Sequence, residues 1–176
     1  MPTASGWRRL AAFAVDYLLI AVYLGLLAGL GVALQRATGR AVGAPRTRRG
    51  RLLGQALGTA TLTLPVALYF ALSEAAAGQA TLGKRALGLR VVRSAGGRLS
   101  RGRSLVRAAV KFAPWEVAHA ALWQTPGWPT HPAPGARTAG GAALALLGAG
   151  WYTASLFVAD RRTPYDRAAG ARVVRA

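Results

Sequence analysis

Only five acidic residues occur in this chain of 176, and three of them interrupt apolar segments. These three are Asp16, Glu74 and Glu116. A charged group at the centre of a membrane helix costs about 2.5–3.5 kcal/mol on insertion scales, so it persists there only when it is paired, hydrated or functional. Such acids could bind a cation or a proton, or they could hold helices together as charge pairs.

Asp16 leaves both of these readings open. Arg9 and Asp16 are seven residues apart, so they share one helix face. In the functional hypothesis, Asp16 binds a cation or proton on a transport path, together with Glu74 or Glu116. In the structural hypothesis, Asp16 pairs with an arginine and holds the helices in register. Either way, we expect a basic group, Arg9 or another, within salt-bridge reach of Asp16.

Glu116 and His119 lie three residues apart, a spacing that could serve a proton relay or a metal ion. No second carboxylate or histidine is assigned nearby, so we expect no metal site. The chain has no cysteine, which excludes disulfides and thiol catalysis. It also lacks a phosphate-binding glycine loop, a nucleophile elbow and a metalloprotease motif. We therefore expect neither an enzyme nor a cofactor.

The elements that must position these acids are long apolar segments. A membrane span needs about 20 mostly apolar residues. Three segments meet that length, at about 10–34, 52–77 and 139–159. A fourth, at 104–124, contains Pro114 and is either a kinked span or a helix in the membrane interface. The sequence therefore predicts one all-α membrane domain covering residues 1–176.

The net charge of +18 fits a membrane protein better than a nucleic-acid binder, because the arginines lie between and beside apolar spans. Cytoplasmic loops carry an excess of Lys and Arg. Three spans would divide the basic residues about evenly, with 12 on one side and 11 on the other. Four spans place 14 on the side of both termini and 7 opposite, counting Arg36–Arg51 as an outer loop. This asymmetry predicts four segments in the cell membrane, with both termini cytoplasmic.

A near repeat supports the same layout. "KRALGLRVVR" spans Lys84–Arg93, and "DRAAGARVVR" spans Asp166–Arg175. Short strands with unpaired edges need partners. If the two Val-rich segments pair with each other, they lie on one side of the membrane, which requires an even number of crossings between them. The alternative is coincidence in a chain rich in Arg, Ala, Gly and Val. We predict a two-stranded cytoplasmic clasp, with Val91–Val92 beside Val173–Val174.

These segments resemble the RDD family, small membrane proteins named for one arginine and two aspartates. The resemblance covers nearly the whole chain, from Trp7 to Val174, and its most specific part is "TLGKRALGLRVV". It assigns the arginine to Arg9 and the aspartates to Asp16 and Asp166. The family often has His before the second aspartate, where this chain has Tyr165. The motif positions that the resemblance adds are Gly83, Lys84, Arg85, Gly88 and Arg90.

The resemblance implies an integral membrane protein. Some members are proposed to be cation/proton antiporters, and others look like partner or assembly modules. For this chain both classes remain open: a small transporter subunit that uses Asp16, or a non-transporting module that binds or assembles a partner membrane protein through its basic cytoplasmic face. Contact with anionic lipid headgroups and homodimer formation are further expectations. Nucleic acid is not an expected partner.

Overall fold

The computed structural model describes residues 2–39, 43, 45 and 47–176. Arg40 and Arg46, two of the basic residues assigned to the outer loop, lie outside these ranges. In chain order the elements are α1 (Gly6–Thr38), α2 (Arg48–Gly58), a π-helical segment (Thr59–Thr63), α3 (Leu64–Ala75), α4 (Leu82–Ala86), β1 (Leu89–Arg93), α5 (Arg101–Trp123), α6 (Ala136–Ala154), α7 (Pro164–Ala168) and β2 (Ala171–Arg175).

Two helices are long and apolar enough to cross a membrane among the described residues. One is α1, with 33 residues, and the other is the continuous helix of 28 residues from Arg48 to Ala75. They correspond to the first two predicted spans. The predicted spans at 139–159 and 104–124 fold as α6 and α5. α6 has 19 residues and ends at Ala154, so it is shorter than the sequence indicated. The third and fourth crossings therefore stay predictions.

Two prolines interrupt the hydrogen bonding of these helices at matching points. Proline has no N–H, so it leaves free the carbonyl four residues earlier. For Pro65 that carbonyl belongs to Thr61, which accepts a hydrogen bond of 2.5 Å from the hydroxyl of Tyr23 on α1. For Pro114 it belongs to Val110, which accepts one of 2.7 Å from the hydroxyl of Tyr152 on α6. Each carbonyl that a proline leaves free therefore forms a hydrogen bond to a neighbouring helix.

The predicted pairing of the two strands is confirmed, and the cytoplasmic location of the clasp stays a prediction. β1 and β2 are antiparallel, and Val91 lies opposite Val173. The outer edge of β2 is covered by the N-terminal segment, where the Ala4 N–H donates to the Val173 carbonyl at 3.0 Å. The Val91 N–H donates to the Gln79 carbonyl at 2.8 Å on the outer edge of β1. Both strand edges are thus occupied, as short exposed strands require.

The repeat has the same local structure in both copies. Thr81 and Thr163 each cap a five-residue helix, α4 or α7, through their hydroxyl oxygens. Each helix is followed by a glycine in the left-handed region, Gly88 at φ 62° and Gly170 at φ 61°. A five-residue strand comes next. The sequence likeness therefore reflects one supersecondary unit that occurs twice.

The core lies at the end of the molecule that carries the clasp, which we call the clasp end. α1 packs on α4 there, and α5 packs on α3, α6 and α7. The hydroxyl of Ser104 on α5 donates to the Ala71 carbonyl of α3 at 2.8 Å, which joins these helices closely. The buried apolar side chains that cluster there are Ala4, Ala12, Leu89, Val91, Leu99, Ala169, Ala171 and Val173.

Candidate functional site

Seven buried side chains form a continuous line of polar contacts beneath the clasp. We call this line the ionic chain. Six of its members carry charge, and all seven residues are buried. Five separate elements and the Thr81 cap contribute to it, so it ties the clasp end together. Its members, each in contact with the next, are Asp16, Thr81, Lys84, Glu74, Arg107, Asp166 and Arg9.

Arg107 is the centre of the ionic chain. Its Nη1 forms an ion pair with Glu74 on α3. Its Nε and Nη2 donate to Oδ1 of Asp166 on α7, at 2.9 and 2.7 Å. The side chain is 2% exposed, so the guanidinium has exchanged water for two carboxylates. A planar guanidinium suits this role because its donors point in several fixed directions.

Asp166 is held by two arginines and by its own helix cap. Arg9 Nη2 donates to Oδ2 at 2.6 Å, opposite the contact with Arg107. Oδ2 also accepts from the Thr163 N–H at 3.1 Å, which completes a capping box. Burial by itself opposes ionisation of this carboxyl, but the charges of Arg107 and Arg9 outweigh it and hold the pKa of Asp166 well below its ordinary value.

Glu74 and Lys84 continue the ionic chain toward α1. Lys84 Nζ lies 3.0 Å from Oε1 of Glu74. The same ammonium lies 3.4 Å from the hydroxyl oxygen of Thr81 and donates to it. Glu74 is fully buried and faces two cations, Lys84 and Arg107. A buried carboxylate needs such compensation, since an unpaired charge is costly away from water.

Asp16 is stabilised by neutral donors, which corrects the expectation of a salt bridge to Arg9 or to another basic group. Oδ1 accepts from the Tyr69 hydroxyl and from the Gly83 N–H, both at 2.8 Å, and Oδ2 accepts from the Thr81 hydroxyl at 2.6 Å. No ion pair reaches this carboxylate within the described part of the chain. Seven residues of helix rise about 10.5 Å, too far for direct contact, and Arg9 instead reaches Asp166.

The motif glycines and basic residues divide into two groups. Gly83 is buried against α1, and a Cβ there would meet the carbonyl oxygen of Ala12 and lie 2.9 Å from the Asp16 carboxyl carbon. Together with Gly88 and Lys84 it has a structural position in the clasp end. The Arg85 and Arg90 side chains are exposed and lie outside the ionic chain.

Glu116 lies in a second polar cluster, farther along α5. Its carboxylate accepts from the hydroxyls of Thr59 at 2.5 Å and Thr63 at 2.7 Å, the first and last residues of the π-helical segment. His119 Nδ1 lies 3.5 Å from Oε1 of Glu116. Because His119 Nε2 accepts from the Trp123 indole N–H at 2.8 Å, the neutral ring carries its proton on Nδ1, facing Glu116.

Three important contributors to the ionic chain and its surroundings were absent from the sequence-based candidates: Arg107, Thr81 and Tyr69. Arg107 had one available signal, since it is a cation four residues before Lys111 in a largely apolar segment with few acids to pair with. Thr81 opens the most specific motif segment, where a threonine before a short helix indicates an N-cap. Nothing in the sequence relates Tyr69 to Asp16, which is 53 residues away.

Two apolar helices are long enough to cross a bilayer, and a buried ionic chain and a small sheet join them at one end, an arrangement typical of a helical membrane protein. The RDD family matches residues 3–170, nearly the whole chain, and the protein belongs to that family. Arg9, Asp16 and Asp166 are the residues to which the resemblance assigns the family's arginine and two aspartates. Comparisons with curated proteins and with solved structures gave no match.

Proposed function

We propose that this protein is a non-transporting membrane module that binds or assembles a partner membrane protein through a basic cytoplasmic face. The observation that carries the proposal is the burial and hydrogen bonding of the Asp16 carboxylate. Its carboxylate is 0% exposed and accepts three hydrogen bonds from neutral donors. Transport by Asp16 would require the carboxylate to line a polar cavity, and Asp16 lines neither the cavity of about 430 Å³ between α1, α3, α5 and α6 nor the one beside Arg48 and Gln124.

The other acids of the ionic chain support the same conclusion. Glu74 and Asp166 each face two cations that come from other elements. A transported cation would have to displace an arginine or lysine that is anchored in a helix, and breaking a buried pair costs about 3–5 kcal/mol. The ionic chain therefore acts as a fastening that fixes the clasp end and the surface above it.

That surface is strongly basic and so fits an acidic partner. We define the basic face by its exposed arginines around the clasp: Arg85, Arg90, Arg93, Arg98, Arg101 and Arg175. Charge of one sign on a rigid surface steers association with a surface of the opposite sign. Two kinds of surface meet this requirement: the acidic cytoplasmic surface of a second membrane protein, and anionic lipid headgroups. We favour the protein, because a rigid clasp presents its arginines in the fixed positions that a folded partner can match.

Photo-crosslinking from the basic face tests the proposal. The chain has no cysteine, so a single cysteine at Arg90 carries the crosslinker without background. We expect one defined protein adduct in native membranes, lost when Arg93 and Arg175 are changed to Glu. The matched control changes Arg36 and Arg137, on the predicted opposite side, to Glu and retains the adduct. Adducts with lipid alone, or an adduct that survives the charge reversal, would contradict the proposal.

Ion flux separates this function from transport. Purified protein in proteoliposomes should move neither Na⁺ nor K⁺ against a proton gradient, and Asp16→Asn should leave that baseline unchanged. Flux in the wild type that Asp16→Asn abolishes would refute the non-transporting assignment.

A second candidate, cation/proton exchange, is favoured by the Glu116 cluster. The Glu116 side chain is 30% exposed, unlike the acids of the ionic chain, and has hydroxyl and imidazole neighbours. π-Helical segments also occur frequently at functional sites. Under this candidate, Glu116→Gln would abolish flux in proteoliposomes while Asp160→Asn, an exposed acid change, would not.

A further inference from the structure

One cavity of about 430 Å³ lies between α1, α3, α5 and α6. Its volume falls within the range of about 300–1,000 Å³ that is typical of small-molecule pockets. Phe13, Tyr17 and Leu24 of α1 recur at helical spacing along one wall. Ala145 and Ala149 of α6 leave space on the opposite wall. Between these two apolar walls, the cavity therefore has the shape and chemistry to hold a hydrocarbon chain.

The start of α1 meets the segment that follows α6 at the clasp end. Trp7 packs edge-on against Phe157, with 5.1 Å between ring centres. Gly6 lies so near the Leu156 carbonyl oxygen that a Cβ would be only 2.8 Å from it. The same end of the cavity is lined by Arg9, Lys84, Arg107 and Lys111. An apolar channel thus leads to a group of cations.

Lys111 differs from the other cations at this end because no carboxylate pairs with it in the described ranges. Its Nζ lies 3.3 Å from the ring centre of Phe70 and 4.8 Å from that of Phe13. Aromatic faces attract a cation, but they contribute less than a full negative charge does. Beneath the clasp, four cations face three carboxylates: Arg9, Lys84, Arg107 and Lys111 against Asp16, Glu74 and Asp166.

We propose that this cavity binds one anionic glycerophospholipid, whose phosphate pairs with Lys111 and one of whose acyl chains lies between α1 and α6. Phosphate supplies the single negative charge that the group lacks, and lysine binds phosphate as a point charge. An ion pair of this kind is strong where water is excluded. The acyl chain gains the contacts that the apolar walls otherwise lack. The lipid also covers the walls that α1 and α6 leave uncovered.

Native mass spectrometry of the full chain, released from detergent with defined lipids, tests the charge requirement. The wild type should retain one phosphatidylglycerol, and should bind it about tenfold more tightly than phosphatidylcholine, a difference of about 1.4 kcal/mol. Lys111→Met keeps most of the side-chain volume and should reduce phosphatidylglycerol binding to the phosphatidylcholine level. Arg36→Gln, which removes an exposed arginine outside both the cavity lining and the basic face, should change neither affinity.

A variant that fills the cavity with a larger side chain tests the acyl-chain requirement. This test remains available even if Lys111 variants fail to fold. Ala149→Leu should lower retention of both lipids by about tenfold, whereas Ala143→Leu, which makes the same change outside the cavity lining, should not. Equal binding of the two lipids by the wild type would overturn the proposal, as would full phosphatidylglycerol binding by Lys111→Met. Displacement of the lipid by inorganic phosphate, with no effect of Ala149→Leu, would reduce the site to a headgroup site and also reject it.

Discussion

The two short helices of the clasp end begin and end alike, but their charges are arranged in opposite ways. Residue 84 in α4 and residue 166 in α7 occupy the same position, the third of the helix, where an acid favours the positive N-terminal end. α7 has Asp166 there and forms its own capping box. α4 has Lys84 there, and Asp16 of α1 supplies the acid through Thr81 and Gly83.

This difference separates the tasks of the two aspartates. The N-terminal end of α4 has no acid of its own and receives one from α1. Asp16 therefore joins the two helices by hydrogen bonds from neutral donors. α7 requires no outside acid, and Asp166 instead attracts cations from α1 and α5. The first copy of the supersecondary unit therefore binds an aspartate from another helix, and the second copy binds arginines from other helices. Variants of either copy can measure how far this contrast holds.

The largest effect is expected from Arg107→Met, because it leaves both Glu74 and Asp166 without their shared cation. Breaking a buried ion pair costs about 3–5 kcal/mol, and two are broken here. We expect little folded protein in detergent and, where some is recovered, a large loss in the free energy of unfolding in a sodium dodecyl sulfate titration. Arg101→Gln, an exposed change on the same helix, is the control. Equal effects of the two variants would show that Arg107 is not the centre of the fastening.

The second prediction compares the aspartates directly. Asp166→Asn leaves Arg9 without a carboxylate and Arg107 with Glu74 alone, and should lower the free energy of unfolding by about 3–5 kcal/mol. Asp16→Asn leaves at least one of three neutral donors without an acceptor, and should cost about 1–3 kcal/mol. The same titration measures both. Asp16→Asn as the more damaging change would invert the comparison.

Acid should weaken the second copy through Asp166. Its pKa is lower in the folded protein than its ordinary value of 3.8, so ionised Asp166 contributes stability above that pH. That contribution falls as the pH drops below 3.8 toward the folded pKa. We expect the melting temperature in detergent to decline over this range, and to decline less steeply in Asp166→Asn. Parallel pH profiles for the two proteins would contradict the assignment.

The smallest effects should come from the shared ends of the two helices. Gly88→Ala and Gly170→Ala each place a side chain in the left-handed region, which costs about 1–2 kcal/mol. Since φ is nearly the same at both positions, the losses should match within error. A Cβ at Gly170 would lie 2.6 Å from an Arg103 nitrogen at the end of a flexible side chain, which can move. Markedly unequal losses would show that the copies differ in more than charge.

The clasp could be predicted from the sequence because its two strands lie in the same repeated motif and because short strands require partners. The ionic chain could not be predicted in full. Pairing Arg9 with Asp16 relied on a shared helix face, whereas the folded chain brings Arg9 to a residue 157 positions away. The neutral donors of Asp16 come from Tyr69 and from the cap of α4, and their positions depend on how α3 and α4 pack on α1.

The tyrosine hydroxyls that meet the proline-freed carbonyls have a mechanical consequence. A proline in a helix is ordinarily a hinge, because the missing hydrogen bond lets the two halves bend independently. Here a phenol from the adjacent helix occupies each hinge, at Thr61 and Val110, and stiffens it. Removing one oxygen atom, as in Tyr23→Phe or Tyr152→Phe, would free that joint without altering any charge. The stiffness of each of these two joints therefore rests on a single hydroxyl group.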